Sequence, residues 1–503
     1  MKLSVFGFRA GRVETDPANG GRADGDCKAS GGAEPSRCQG GPMSTRTRSG
    51  AAVPVRSALV LWVMSAGMFL VLLDITVVNV ALPGIQTGLD TGITGAQWVV
   101  DGYVMALAGL LLTGGALGDR VGHRRLVLVG MGLFGTGSTV CGLAGTVGLL
   151  VAARILQGAG SALFLPASIA LITQVYPEQR SQARALGVWA GISALALPAG
   201  PLLGGLAVSA VGWRWVFLIN PPVVLAAATG TLLWAPDRRG TGRAGFGLAG
   251  AITAASIPAA LICAVIAAGH QQLTMAGGAA AVALVAAIVF LVHESRTAQP
   301  LVPLSLFRRS AFIGANTAAP CMNAASNGTL FVTTIYLQQV RGYSALIAGC
   351  MLLAMFVPIA VVSPVAGRLT ARYGPRRPMF AGAVVSGMGE TGLLLVSPHS
   401  GYLALVPMML GIGIGNGLFT VPVVTAAIRS APGSRSGLAS GITNTVRQTG
   451  TAVGVAVFGA IAGSPDDPNR FVAGLHALAI LGGLLWLTAL MLTIATVPAD
   501  TPQ

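Results

Sequence analysis

The sequence is poor in charged residues, and this shortage is the first constraint on what the protein is. Only 9% of its 503 residues are Asp, Glu, Lys or Arg, whereas soluble domains carry about 25%. Lysine is nearly absent, with Lys2 and Lys28 the only two. Hydrophobic residues make up 53% of the chain, and the mean hydropathy is +0.74. An ordinary cytosolic enzyme is therefore excluded, and the composition predicts a protein embedded in a lipid bilayer.

Several kinds of chemical site are missing as well. The six cysteines follow no zinc-binding spacing and the five histidines are scattered, so we expect no metal centre and no disulfide framework. No GxxxxGK run followed by Ser or Thr occurs, so we expect no ATP-binding loop in this chain. No catalytic triad is apparent, and we expect neither a cofactor nor enzyme activity.

What the sequence does contain is a series of apolar runs, each near the roughly 20 residues that a membrane-spanning helix needs. We place fourteen of them, at 57–82, 97–117, 126–145, 148–173, 183–208, 213–234, 247–268, 275–293, 311–337, 345–367, 378–397, 402–428, 437–463 and 473–497. Residues 1–55 are polar and rich in Gly and Arg, which predicts a disordered cytoplasmic tail, with Met43 as an alternative start.

The arginines alternate between the loops. Seventeen lie in loops that follow even-numbered spans, whereas the opposite side carries only Arg214, Arg341 and Arg470. Basic loops stay in the cytoplasm, so we predict cytoplasmic termini and a multi-pass protein of the plasma membrane. The net charge of +15 then reflects membrane topology, and no nucleic-acid partner is needed. The Lys-poor, Ala- and Gly-rich composition indicates a GC-rich bacterial genome.

A weak internal repeat divides the chain. Segment 115–125 reads GALGDRVGHRR, and segment 367–377, which lies 252 residues later, reads GRLTARYGPRR. Each copy falls between the second and third span of a six-helix block. We therefore predict an all-α fold of fourteen helices, in which two six-helix halves, 56–236 and 311–503, are separated by two inserted helices within 237–310. Such paired halves are typical of alternating-access transporters.

Four sequence motifs carry polar or small residues in or beside these spans. LDITVVNVALP at 73–83 places Asp74 within hydrocarbon, and LVAARILQGAGSA at 150–162 places Arg154, Gln157 and Ser161 on one helical face. A buried charge costs at least about 2.5 kcal/mol, so each needs a partner or a function. From the helical rise, Asp74 and Arg154 lie at similar depths, which makes an ion pair sterically reasonable. The alternative is a fixed salt bridge that serves packing alone.

The other two motifs are a loop and a helix. The loop after the second span contains Gly115, Asp119, Arg120, Gly122, Arg124 and Arg125, in which the glycines allow a tight turn. The fifth span contains Gly187, Pro198, Gly200, Pro201, Gly204 and Gly205, in which the prolines remove backbone donors and permit a bend. The alternative for the loop is that its charges only set the membrane topology. The alternative for the fifth span is that its small residues only pack against other helices.

Together these motifs resemble those of the fourteen-helix drug:proton antiporters of the major facilitator superfamily. The four motifs match in order within residues 72–205, except that Ala196 stands where the family usually has Gly. The resemblance implies that Arg154 assists proton transfer by a carboxylate such as Asp74. It also implies that the Asp119 loop latches the two halves together, and that the bend in the fifth helix seals the cytoplasmic route in exporters.

Other polar residues within the spans are weaker candidates for a proton or substrate pathway. Asp101 is either functional or interfacial, and Glu390 is the only acid inside a span of the second half. Asn316, Asn323 and Asn327 form one helical stripe that either lines a cavity or bonds a neighbouring helix. Arg447, in the thirteenth span, fits the polar patch of the family.

The resemblance predicts proton-coupled efflux of small lipophilic or cationic drugs or antibiotics, with self-resistance as a plausible role. Its partners would be the drug, protons and the lipid bilayer, and we expect a monomer. The alternative is a proton-coupled uptake symporter of a small metabolite with the same fold, against which the fifth-helix motif argues. A channel is a further alternative, against which the two-half repeat argues.

Overall fold

The computed structural model describes residues 55–237, 248–269, 272–297, 302, 304–431 and 436–499. Nearly all of them are helical, and within these ranges fourteen helices follow one another, two of them broken, which confirms the predicted fold class. Eleven of the described helices are long and apolar enough to cross a membrane by length and composition alone. The predicted tail, apart from Val55, lies outside the described residues.

Helices α1–α6 form the N-terminal half. Their bounds are Val55–Gly88 (α1), Ile93–Val121 (α2), His123–Leu143 (α3), Val147–Val175 (α4), Gln179–Ala194 with Ala196–Val211 (α5), and Trp215–Leu218 with Asn220–Trp234 (α6).

The inserted pair and the C-terminal half follow. Their bounds are Leu248–Gly269 (α7), Leu273–Arg296 (α8), Ser310–Ile335 (α9, continued by the π-helical turn Tyr336–Val340), Ala345–Tyr373 (α10), Arg376–Glu390 (α11, continued by the 3-10 turn Thr391–Leu395), Val406–Ser430 (α12), Ser436–Ala462 (α13) and Pro468–Thr496 (α14).

Two of the predicted helices are broken, at Leu195 in α5 and at Ile219 in α6. Proline explains both breaks, because it lacks a backbone N–H and its ring clashes with the preceding turn. In α5, Pro198 and Pro201 lie just after the break, so the bend that the sequence predicts begins one turn earlier than the prolines. In α6, Pro221 and Pro222 begin the second segment, where their missing N–H groups are tolerated.

The internal repeat is visible in the backbone. Gly122 joins α2 to α3 with φ of 100°, and Gly374, 252 residues later, joins α10 to α11 with φ of 77°. These values lie in the left-handed region, which glycine adopts without steric cost. The two loops also make matching contacts, because Arg124 donates to the Leu232 carbonyl at the end of α6 and Arg376 donates to the Ile494 carbonyl near the end of α14. We call the side of the molecule on which these loops lie the arginine-rich face.

The two halves are joined near the opposite face. Gln97 at the start of α2 donates to the Ala456 carbonyl of α13 at 3.2 Å, and Gln338 donates to the Val80 carbonyl of α1 at 3.0 Å. The Leu346 amide at the start of α10 donates to Ser209 near the end of α5 at 3.2 Å. These contacts close the space between the halves at this end of the molecule.

Small residues allow the helices to approach closely. A Cβ atom added at Gly158 of α4 would lie 2.2 Å from the Tyr103 carbonyl oxygen of α2, and one added at Gly454 of α13 would lie 2.2 Å from the Ala324 carbonyl oxygen of α9. Backbone contact of this kind is the usual basis of helix association in lipid, where apolar burial gives little driving force. The same contacts fix the positions of the polar side chains described next.

Candidate functional site

An ion pair lies at the centre of the N-terminal half. Arg154 of α4 donates through Nη1 to Asp74 Oδ2 of α1, and the two residues are 1% and 2% exposed. The structure thus brings together the two charges that the sequence places at similar depths. Burial from water on this scale strengthens the attraction between them, because few solvent dipoles remain to screen it.

Arg154 is held on every side. Its Nε donates to the Val99 carbonyl oxygen of α2 at 3.0 Å, and its Nη1 also donates to Gln157 Oε1 at 2.9 Å. Its guanidinium carbon lies 4.3 Å from the ring centroid of Tyr103 and 5.8 Å from that of Phe217. A planar cation suits such stacking and forked bonding better than a lysine would.

Two further residues complete the network, and neither was identified from the sequence. Asn220, the first residue of the second segment of α6, donates to Asp74 Oδ1 at 3.2 Å and to Ser138 Oγ at 2.9 Å. Ser138 of α3 donates to the Phe217 carbonyl and also accepts from Gln157 Nε2 at 3.0 Å. The break in α6 places Asn220 at this depth. The adjacent Pro-Pro pair is the sequence feature that could have indicated the break.

Both carboxyl oxygens of Asp74 therefore accept hydrogen bonds. Oδ2 faces Arg154, while Oδ1 accepts from both Gln157 and Asn220, the former at 3.2 Å. For Asp74 to take up a proton, Arg154 would have to move away or find another partner, so protonation and helix movement are physically linked here.

Asp101 of α2 is placed differently. It is 0% exposed, so it is enclosed by the protein itself. Neither of its carboxyl oxygens has a hydrogen-bond partner among the described residues. It lies one helical turn after Gln97, on the face of α2 that contacts α13. An ionised carboxylate without partners is costly to bury, so a neutral, proton-bearing group fits this position.

Glu390 lies in the core of the C-terminal half. It is 0% exposed and accepts from Thr329 Oγ1 of α9 at 3.0 and 3.2 Å. A Cβ atom added at Gly482 of α14 would lie 2.8 Å from its carboxyl carbon, so α14 packs directly on the group. No basic side chain pairs with Glu390 in the described part of the chain.

The asparagine stripe of α9 serves two purposes. Asn323 and Asn327 donate to Thr451 Oγ1 of α13 at 2.9 and 3.4 Å, so they bond the neighbouring helix. Asn316 uses its Nδ2 on the Phe312 carbonyl of its own helix, while its Oδ1 is buried and has no partner in the described residues. Two of the three residues therefore bond the neighbouring helix and one bonds its own helix, while a role in lining a substrate cavity stays a prediction.

Arg447 belongs to the same polar patch. Its Nε lies 3.4 Å from Asn323 Oδ1, and its Nη1 lies 3.4 Å from Asn444 Oδ1. These are long contacts with neutral acceptors. No carboxylate pairs with Arg447 among the residues that the structure describes, so the C-terminal half has no counterpart there of the Asp74–Arg154 pair.

In the loop between α2 and α3, the contacts that the structure shows stay within the N-terminal half. Besides its bond to α6, Arg124 lies 3.8 Å from Asp237. Arg120 and Arg125 are exposed. Two of the predicted latch residues, Gly115 and Asp119, are among those whose side chains the structure does not describe. The latch between the halves therefore remains a prediction.

The motif of α5 packs against both halves. A Cβ atom added at Gly200 would lie 1.9 Å from Thr76 Oγ1, and Gly204 packs on Val77, so α5 is pressed against α1. A Cβ atom at Gly205 would lie 2.7 Å from the Ala345 carbonyl oxygen of α10, across the interface between the halves.

The bend of α5 lies beside this interface. Pro201 is buried and its carbonyl oxygen faces Gly349 of α10, whereas Pro198 is half-buried. Gly187 is exposed and has no neighbour there, so it takes no part in this contact.

No group of three or more His, Cys, Asp or Glu residues that could hold a metal ion occurs within the described ranges.

Comparisons with known proteins agree with this architecture. The model of the Major Facilitator Superfamily matches residues 64–455. The methylenomycin A resistance protein of Streptomyces coelicolor is 35% identical over 456 residues, which cover 90% of this chain and 90% of that protein. Multidrug resistance protein Stp of Mycobacterium tuberculosis is 35% identical over 375 residues, which cover 73% of this chain and 69% of that protein.

Solved structures show the same fold at low sequence identity. The peptide transporter POT in complex with sulfate matches with a TM-score of 0.64 at 16% identity, over 87% of this chain and 96% of that one. A mutant of the nucleoside transporter NupG matches with a TM-score of 0.63 at 10% identity, over 87% of this chain and 99% of that one. Family match, relatives and fold agree, and the chain belongs to the Major Facilitator Superfamily, in the group that contains these drug- and antibiotic-resistance proteins.

Proposed function

We propose that the protein exports small lipophilic or cationic drugs or antibiotics from the cytoplasm, in exchange for protons, by alternating access. The observation that carries this proposal is the buried Asp74–Arg154 pair with its ring of amide and hydroxyl partners. The names of the similar proteins, which include a methylenomycin A resistance protein and a multidrug resistance protein, support drugs as the exported molecules. We call the exported molecule the cargo.

The proton step follows from how the two carboxyl groups of the N-terminal half are held. In this conformation Asp74 accepts from Arg154, while Asp101 has no partner in the described part of the chain and is our candidate for a carboxyl group that carries a proton. A change of conformation that moves Arg154 away from Asp74 would let Asp74 take up a proton. Glu390 would serve the C-terminal half as a second proton or cation site.

The driving force is sufficient for concentrative export. Each proton that enters down a membrane potential contributes about 2.3 kcal/mol per 100 mV. A pH gradient adds about 1.4 kcal/mol per unit. Asp74 can use this energy only if its protonation is tied to movement of Arg154, which is what their shared network provides.

Alternating access needs a contact between the halves that can open. With the arginine-rich face in the cytoplasm of the cell, as the positive-inside rule places it, the described bonds between the halves close the outer face. The contact of Pro201 with Gly349 is part of that closure, because a Cβ atom at Gly349 would lie 2.1 Å from the Pro201 carbonyl oxygen. The protein is then poised to take up cargo from the inside.

This closure can be tested by one substitution. Gly349→Ala should force α5 and α10 apart, whereas Gly191→Ala, on a part of α5 where nothing lies within 4 Å, is the matched control. A cysteine at Ser209, in a chain without other cysteines, should react several-fold faster with an external maleimide in Gly349→Ala. Equal rates in both variants would show that this contact does not close the outer face.

The alternative function is proton-coupled uptake of a small metabolite by the same fold. A symporter would move its substrate inward together with the proton, whereas an exporter moves its substrate outward as the proton enters. The close packing of the α5 motif against α1 and α10 and the names of the relatives favour export. We further propose that the protein works as a monomer in the plasma membrane with both termini in the cytoplasm, and that it needs no ATP.

The function itself is tested by a susceptibility panel. Cells that express the protein should tolerate higher concentrations of at least one antibiotic, with methylenomycin A, tetracenomycin C and lincomycin as first members because relatives are named for resistance to them. A protonophore should remove the tolerance. Increased sensitivity to a compound, reversed by the protonophore, would support the uptake alternative and contradict export.

A further inference from the structure

The break in α6 leaves a backbone carbonyl group beside the Asp74 network. In an uninterrupted helix the Phe217 carbonyl oxygen would accept from the amide of residue 221, but residue 221 is proline, which has no N–H. Ser138 of α3 takes the place of the missing donor, because its hydroxyl donates to this oxygen at 2.9 Å. Phe217 and Ser138 are both 0% exposed, so the bond is shielded from bulk water.

This bond decides what the Ser138 hydroxyl can do elsewhere. A hydroxyl group has one hydrogen to donate and two lone pairs that accept. Because the hydrogen of Ser138 is committed to Phe217, its oxygen can meet the neighbouring amides only as an acceptor. It accepts from Gln157 Nε2 at 3.0 Å and from Asn220 Nδ2 at 2.9 Å. The three bonds use the full capacity of the hydroxyl, and each amide must turn an N–H group toward it.

The same two amide nitrogens also contact Asp74. Gln157 Nε2 and Asn220 Nδ2 each donate to Asp74 Oδ1 at 3.2 Å. If either amide were reversed, its carbonyl oxygen would face Asp74 Oδ1 and also the Ser138 oxygen, which has no hydrogen left to offer. The orientation of both amides therefore depends on the bond between Ser138 and Phe217.

The two amides do not depend on Ser138 equally. Gln157 is also fixed at its other end, where Oε1 accepts from Arg154 Nη1 at 2.9 Å and from the Cys141 thiol at 3.3 Å. Asn220 Oδ1 makes no hydrogen bond in the described part of the chain, so this amide is fixed through its Nδ2 alone. Loss of the Ser138 hydroxyl should therefore free Asn220 more than Gln157.

We propose that Ser138 is a positioning residue for the proton step, and that it holds the Gln157 and Asn220 amides as donors to Asp74. It makes no hydrogen bond with Asp74 itself and acts through the two amides. The role rests on the proposed function, in which Asp74 takes up a proton. Hydrogen bonds donated to a carboxylate favour it over the carboxylic acid. Proton uptake at Asp74 then requires an amide to turn as well as Arg154 to leave.

The other titratable groups around Asp74 in the described ranges are few. They are Arg154 of α4, Tyr103 of α2 and Cys141 of α3. None of them is changed in the variants used below, so a change in the protonation of Asp74 reports the amides.

Ser138→Ala removes the shared acceptor and lets the Asn220 amide turn its carbonyl oxygen toward a protonated Asp74. The purified full chain in lipid nanodiscs is titrated with pH by infrared spectroscopy, in which the carboxylic-acid band that is missing in Asp74→Asn identifies Asp74. The midpoint should move upward by about one pH unit, a tenfold change in the protonation equilibrium. An unchanged midpoint, a downward shift, or no protonation of Asp74 in Ser138→Ala would overturn the proposal.

Pro221→Ala tests the origin of the orientation without altering a polar side chain, and it carries the test if Ser138→Ala does not fold. Its new N–H should compete for the Phe217 carbonyl, release the Ser138 hydrogen and shift the midpoint upward. Pro222→Ala is the matched control, because its N–H would pair with the Leu218 carbonyl instead. The double variant Ser138→Ala/Pro221→Ala should shift no further than Ser138→Ala alone. Additive shifts, or equal shifts in the two proline variants, would contradict the role of Ser138.

The titration needs no transport, so it separates this proposal from the proposed function. Expected infrared shifts in a protein that gives cells no drug tolerance would refute drug export and leave the positioning role of Ser138 standing. Drug tolerance that a protonophore removes, together with an infrared midpoint that is the same in every variant, would refute the positioning role alone.

Discussion

Asp74 in the N-terminal half and Glu390 in the C-terminal half are both buried carboxyl groups, yet their surroundings differ sharply. Asp74 has a guanidinium on one oxygen and two amide donors on the other. Glu390 accepts from the Thr329 hydroxyl through both of its oxygens and lies beside the Trp486 indole, and no cation pairs with it in the described part of the chain. The topological repeat that relates the halves is thus preserved in the backbone and not in the buried charges.

The difference assigns different tasks to the two halves. A carboxylate with an adjacent cation is electrically balanced, so its charge can change only when the cation moves. A carboxyl group without a cation changes charge by gaining a proton or by meeting a cationic cargo. We therefore propose that the N-terminal half couples protonation to conformation, whereas the C-terminal half responds to what enters it. The predictions below test that contrast, from the largest effect to the smallest.

Asp74→Asn should abolish proton-coupled efflux, because the variant cannot take up a proton at this position. It should also lower the free energy of unfolding by about 3 kcal/mol, since Arg154 keeps a buried charge without a counter-charge. Cellular drug accumulation and thermal unfolding of the purified protein measure the two effects. Asp90→Asn, in the exposed turn after α1, is the matched control; undiminished pH-driven efflux by Asp74→Asn would remove Asp74 from the mechanism.

Asn220→Ala should destabilise the protein by about 1–3 kcal/mol, because it leaves acceptor sites on Asp74 and Ser138 without a donor. Efflux should fall while proton coupling persists, since the ion pair itself remains. Asn469→Ala, near the exposed start of α14, controls for the change of residue type. Equal thermal stability of the two variants would show that Asn220 does not support the network.

Glu390→Gln should change the free energy of unfolding by less than about 1 kcal/mol, because the amide has the same shape and its oxygen still accepts from Thr329. Export of a cationic dye should fall more than export of a neutral drug, since only the former gains from the charge. If Glu390→Gln destabilised the protein as strongly as Asp74→Asn, the contrast between the two halves would be wrong.

Arg124→Gln and Arg376→Gln should have small and similar effects, each lowering the free energy of unfolding by about 1 kcal/mol. Each removes a charge-assisted bond to a carbonyl group at the end of the last helix of its own half. Thermal unfolding of both variants measures whether the two loops are equivalent. A much larger loss of efflux in Arg124→Gln alone would indicate that this loop also acts between the halves.

The sequence predicts much of this architecture because lipid imposes simple rules. Span length and arginine placement fix the number of helices, and the intramembrane cost of charge points to Asp74 and Arg154 as partners. The 252-residue spacing of the two loops is confirmed by the left-handed glycines Gly122 and Gly374. These features are local or periodic, so a single chain displays them without tertiary information.

What the sequence does not reveal depends on contacts between distant segments. Asn220 is 146 residues from Asp74, and nothing in a single sequence pairs an asparagine with that carboxylate. The break at Ile219 determines its depth, and continuous apolar spans conceal such breaks.

The most direct test of the central claim is proton movement driven by drug in proteoliposomes that contain a luminal pH indicator. Addition of an exported drug to one side should draw protons to that side from the other in the unmodified protein, in proportion to the drug transported. In Asp74→Asn the drug should produce no proton movement. Proton flux that is the same in both proteins, or drug transport against its gradient after the proton gradient is collapsed, would contradict proton-driven export through Asp74.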